Sequence, residues 1–145
     1  MTIDYNWVKA ERQQILKQIN NLSESEFAFN FGFGEGSIKH TLLAVAEKYR
    51  PFLKKNNGFT SSLENYRDND HKISFDDVLD YFRQIDNQID TSHQDINQSI
   101  AEEFRHIGHI DTMLHMIDQK DHRIAERTNS RKKVTERLNM TITRL

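Results

Sequence analysis

Three observations predict an all-helical bundle. One proline and five glycines in 145 residues leave long stretches without a helix breaker. Along most of these stretches apolar residues recur at three- and four-residue steps, the period of one helix face. No segment shows the sustained apolar–polar alternation, bounded by turn residues, of a half-buried strand.

The first helix is expected over about Tyr5 to Asn20, where Trp7, Val8, Ile15, Leu16 and Ile19 form an apolar stripe. Ser23 with Glu26 matches a capping box and predicts a short helical turn at SESEF. In FNFGFGEGS, Gly32, Gly34 and Gly36 break regularity, and Phe31 and Phe33 are expected to pack as plugs. Ser37 caps a second helix, SIKHTLLAVAEKYRPFLKK, with Ile38, Leu42, Val45 and Tyr49 inward; Pro51 should kink or end it. Residues 55–72 read as a long polar connection. Ser74 with Asp77 starts a third helix, whose period is kept by Val78, Phe82, Ile85 and Ile89. The less regular SHQDINQSIAEEFRHIG leads to Asp111 or Thr112 as the cap of a fourth. A fifth amphipathic piece carries Val134, Leu138, Ile142 and Leu145.

Bulk properties narrow the function classes. The length suits a single domain, 1–145, with a core over about 5–128 and a C-terminal helical extension over about 129–145. The absence of cysteine excludes disulfides, thiolate metal ligands and a cysteine nucleophile. The start resembles no secretory leader, and no apolar run approaches the roughly 18 residues of a membrane span. A cytoplasmic protein without membrane contact is the expectation. A net charge of -2 and a pI near 6.4 give no general reason to expect nucleic-acid binding. Basic residues outnumber acidic ones from Lys120 onward, a pattern that usually marks a solvated helix face.

The chemistry candidates are mainly histidines. His115, Asp118 and His122 fall within roughly a 60° sector of a helix, a spacing that suits a divalent ion such as zinc, nickel or manganese. That sector borders the apolar arc of Ile110, Met113, Leu114, Ile117, Ile124 and Ala125, so an Asp118–His122 surface pair is the more ordinary account of the spacing. His106 and His109 flank Gly108 at a spacing compatible with a metal or with ordinary cap histidines. His71 reads as a solvated loop residue. Trp7, Phe27, Phe29, Phe31, Phe33, Tyr49 and Phe52 serve as core packing or as the lining of an apolar pocket. No GxSxG, phosphate loop or dinucleotide fingerprint is present.

The segments GEGSIKHTLLAVAEKYR and IGHIDTMLHMIDQKDHRIAER, separated by a long loop and the third helix, resemble the DinB-like superfamily. The resemblance implies an up-and-down four-helix bundle of DinB type, here with an additional C-terminal helix. It also implies kinship with bacillithiol- and mycothiol-dependent transferases, which bind a metal through three histidines. One of these lies seven residues after the serine of Gly-Ser-Ile, and that position here is Ala44. The other two form an H-x-x-x-H pair that falls on Asp118 and His122 or, in a second register, on Gln119 and Arg123. A site rebuilt one turn away would use His40, His115, Asp118 and His122. Two functions are therefore expected in alternative. One is a small-molecule-binding or interaction protein whose metal site is lost or rebuilt. The other is a divalent-metal-dependent thiol S-transferase of bacillithiol type that borrows its thiol from outside the chain. A homodimer is expected in either case, because a bundle's remaining apolar surface is commonly covered by a second copy.

Overall fold

The computed structural model describes residues 4–54, 70–92 and 95–142, except for the side chains of 70 and 120–142. Those residues form five α-helices and no strand: α1 (Tyr5–Ile19), α2 (Glu24–Ala28), α3 (Ile38–Tyr49), α4 (Phe75–Gln88) and α5 (Ile96–Ile142). The expected all-α class is met. None of the helices is long and apolar enough, among the described residues, to cross a membrane. The chain divides into two compact units, residues 1–113 and 114–145.

α1 begins at Asp4, whose carboxylate accepts from the Asn6 amide at 2.9 Å and satisfies one of the open donors of the first turn. Its buried residues are Tyr5, Val8, Arg12, Ile15 and Ile19, at steps of three and four. Trp7 was expected on this stripe and is instead 58 % exposed. Two residues beyond Tyr5 is about 200° around the helix, so burying Tyr5 turns Trp7 outward. Arg12, a residue that periodicity passes over as polar, takes the inward position.

The capping box at Ser23 and Glu26 forms as expected and starts α2, which buries Phe27 edge-to-face against Phe75 at 5.3 Å. The glycine loop then folds back on itself, with the Phe31 amide donating to the Gly36 carbonyl at 2.7 Å and the Gly36 amide to Phe33 at 2.9 Å. Gly34 and Gly36 hold φ of +57° and +96°, conformations that L side chains adopt at a cost.

Ser37 caps α3 on the His40 amide at 2.9 Å. α3 was expected to bury one stripe, but Lys39, Thr41, Leu43, Ala44 and Ala46 are also buried beside Ile38, Leu42, Val45 and Tyr49. A helix buried nearly all round is a central element; α3 packs on both α2 and α4. Pro51 ends it in a 3-10 turn, Arg50–Phe52, as expected from its missing donor. Leu53 next pairs with Ile89 in an isolated antiparallel bridge, flanked by bonds from Lys54 N to Gln88 O (2.7 Å) and Asp90 N to Phe52 O (2.8 Å). A second capping box, Ser74 with Asp77, starts α4, whose buried face is Val78, Tyr81, Phe82 and Ile85.

The largest departure from expectation is α5. The break near Gly108 and the new cap at Asp111 or Thr112 do not occur, and no separate C-terminal helix starts near 129; one helix of 47 residues runs from Ile96 to Ile142. Thr112 Oγ1 turns back to the Gly108 carbonyl at 3.1 Å, as a mid-helix threonine does, instead of capping a new start. One glycine costs a helix about 1 kcal/mol, less than the packing of the flanking His106, Ile110 and Met113, all buried, can offset.

Candidate functional site

Two polar constellations lie within residues 1–113. The first joins four helices through Arg12, 1 % exposed. Its Nε donates to Glu103 Oε2 at 2.7 Å and its Nη2 to Oε1 at 3.0 Å, a two-pronged pair between α1 and α5. Nη1 donates to Asp86 Oδ1 of α4 at 2.8 Å. Tyr49 of α3 donates to Glu103 Oε1 at 2.5 Å, and Tyr5 donates to Asp86. The guanidinium also lies over the Phe82 ring, 4.4 Å from its centroid. Burial pushes both tyrosine hydroxyls well above their ordinary range, and the carboxylates of Asp86 and Glu103 push in the same direction. Burial alone would lower the Arg12 value, but its bonds to Glu103 raise it, so the guanidinium is charged. Both oxygens of Glu103 are taken, and the network presents no reactive group to a ligand. It is a structural tie.

The second constellation sits where the glycine loop meets α5. Ser99 Oγ donates to the Lys48 carbonyl at 3.4 Å, Lys48 pairs with Glu102 at 3.7 Å, Glu35 approaches His106, and Gly34 approaches His109. Rising numbers on α5 thus meet falling numbers on α3 and its loop, so the two run antiparallel. Ala44 lies one turn before Lys48, level with the turn from Glu102 to His106. His106 is 5 % exposed, and its Nδ1 lies 2.6 Å from the Glu102 carbonyl. A carbonyl only accepts, so Nδ1 carries the proton and Nε2 is an acceptor in the neutral ring. That Nε2 faces Glu35 Oε1 at 4.0 Å, too far for a direct hydrogen bond. The next ring, His109, lies 5.9 Å from His106 and edge-on to Phe33; its Nδ1 is buried with no hydrogen-bond partner among the described residues. The buried Nδ1 of His109 suits a hydrogen-bond partner from outside the described residues. A protonated amine, an amide or a water would serve.

Of the expected metal ligands, His40, His115 and Asp118 have described side chains. His40 is occupied locally, with Nδ1 3.0 Å from Ser37 Oγ. His115 and Asp118 are both exposed, and His115 Nε2 lies 3.1 Å from Gln119 Nε2. The side chains of His122 and Arg123 lie outside the described residues. Among those described, no three His, Asp or Glu residues are placed to hold a metal ion. Position 44, where the resemblance places the ligand of the second helix, is alanine and carries no donor. His71 is exposed, as expected of a solvated residue.

The aromatic residues do not form one box. Phe27 and Tyr49 are core, Phe29 stacks edge-on to Phe31, Phe33 covers His109, and Trp7 leans on Phe104. A polar cavity of about 340 Å³ opens elsewhere, between Asp4, Asn6, Thr91 and Asn97 over Ile96 and Ile100. Periodicity overlooked Arg12, Glu103 and Glu35. The signal for the first two was available: Arg12 lies four residues after Val8 and three before Ile15, and Glu103 seven residues from both Ile96 and Ile110, so each occupies a core position of its helix. Comparison with protein-family models, with curated proteins and with solved structures finds no match.

Proposed function

We propose that the chain is a DinB-like helical bundle, a cytoplasmic homodimer that binds a small molecule and has lost the metal centre of the family. The buried Nδ1 of His109, which lies beside His106 and has no hydrogen-bond partner among the described residues, carries this reading. Hydrogen-bonding capacity that is buried and unspent among the described residues marks a site that can spend it on a ligand. Ala44 supports the loss of metal, since it stands level with His106 and offers no donor. The ligand expected is a small molecule that presents an N–H donor, such as an ammonium or amide group.

Elemental analysis by mass spectrometry tests the reading, on protein purified without a histidine tag, before and after loading with zinc, nickel and manganese. No stoichiometric retention is expected. Near-stoichiometric retention that is abolished in His122→Ala and reduced in His40→Ala would instead favour the metal-dependent thiol S-transferase. In parallel, thermal shifts with a panel of small ammonium and amide compounds should be larger for wild type than for His106→Ala. A panel without a single shift would remove the binding role from these histidines.

A further inference from the structure

The geometry points to the shared outer face of α1 and α5 as the surface on which a second copy of this chain docks, an inference that rests on the homodimer reading above. Trp7 is 58 % exposed and makes an edge-to-face contact with the half-buried Phe104 at 5.4 Å. Tryptophan is rarely left this open on a surface without a partner, and it is the residue type most enriched at the centres of interfaces. Around the pair lie exposed small residues on α5, Ala101 and Gly108, which let another helix approach closely.

The charges favour a second copy over a different partner. Tyr5 lies beside Ile96 and Ile100 while Arg12 reaches Glu103, so α1 and the start of α5 run in the same direction. One turn beyond Trp7 stands Glu11, and beside Phe104 stands Arg105. Both are exposed, and neither makes an ion pair among the described residues. A two-fold axis along the seam between the helices lays α1 of each copy on α5 of the other. Trp7 then meets the partner's Phe104, and Glu11 meets the partner's Arg105, once on each side. A face that carries an acid on one helix and a base on the parallel helix is complementary to itself under that rotation, as an isologous interface requires.

The test is sedimentation equilibrium of the full chain over a micromolar to submillimolar range, with circular dichroism to check that each variant is folded. Trp7 is the single tryptophan, so its emission reports burial at the interface directly. The wild type should be a dimer whose emission shifts to the blue as concentration rises. Trp7→Ala should weaken association by about 30-fold or more, as expected for an interface hot spot. Glu11→Arg and Arg105→Glu should each weaken it, and the two together should restore it. A monomer at every concentration would overturn the homodimer reading and this face together. A dimer that none of these variants weakens would leave the homodimer standing and overturn the face. Failure of the double reversal to restore association would overturn it as well.

Discussion

Arg12 and Glu103, 91 positions apart, meet as a two-pronged ion pair at 2.7 and 3.0 Å, and each is 1 % exposed. Tyr49, Asp86 and Tyr5 complete the bonding on either side. The pair ties the first helix to the last across the core, while its neighbours bring in α3 and α4.

Breaking one side of such a pair strands a charge. Arg12→Met should destabilise the fold by about 3–5 kcal/mol, and Glu103→Leu should do nearly the same. The double variant should fall well short of the sum, because two buried apolar side chains need no partner. Urea unfolding of the four proteins measures the coupling; additive losses would mean that the pair does not act as a unit.

Alkaline stability follows from the tyrosines. Tyr5 and Tyr49 are held above the ordinary value of 10.0 by burial and by the neighbouring carboxylates, so the folded state keeps protons that the unfolded chain gives up. Their contribution is intact below pH 10 and is lost as pH rises from there toward the folded values. The slope should be about 1.4 kcal/mol per pH unit for each tyrosine. Unfolding curves of wild type and Tyr5→Phe/Tyr49→Phe should therefore converge above pH 10. Curves that stay parallel would show that the hydroxyls ionise as freely in the fold as outside it.

The glycine loop separates backbone cost from steric cost. Gly32 has φ +83° with nothing within 4 Å of an added Cβ, whereas at Gly34, φ +57°, that atom would come within 3.0 Å of His109 Nδ1. Gly32→Ala should lose about 1–2 kcal/mol from its conformation alone. Gly34→Ala should lose more and displace the His109 ring, and in a His109→Ala background the excess should vanish. Equal losses from Gly34→Ala in the two backgrounds would mean that the loop does not bear on that histidine.

Caps provide the smallest test. Ser74 accepts from the Asp77 amide at 3.2 Å while Asp77 accepts from the Ser74 amide at 2.9 Å. Ser74→Ala should cost about 1 kcal/mol by thermal or urea unfolding, with the loss confined to stability and leaving any ligand affinity unchanged.

Local signals in the sequence determined the helical class, the capped starts at Ser23, Ser37 and Ser74, and the stop at Pro51, because each depends on residues within one turn of one another. The inward apolar residues followed from periodicity on the same grounds. The end of a helix at Gly108 did not, since whether one glycine breaks a helix depends on what its neighbours pack against. The core spacing of Arg12 with Val8 and Ile15 was legible as well, but only tertiary structure decided that a charged side chain is buried there while Trp7 is not. Only the arrival of Glu103, Asp86 and Tyr49 from distant parts of the chain, beside Tyr5, offsets the cost of burying a guanidinium there. The candidate site divides in the same way. His106 and His109 were visible as a pair in RHIGH, but Glu35 joins them only because the glycine loop folds back onto α5, and no spacing along the chain encodes that meeting.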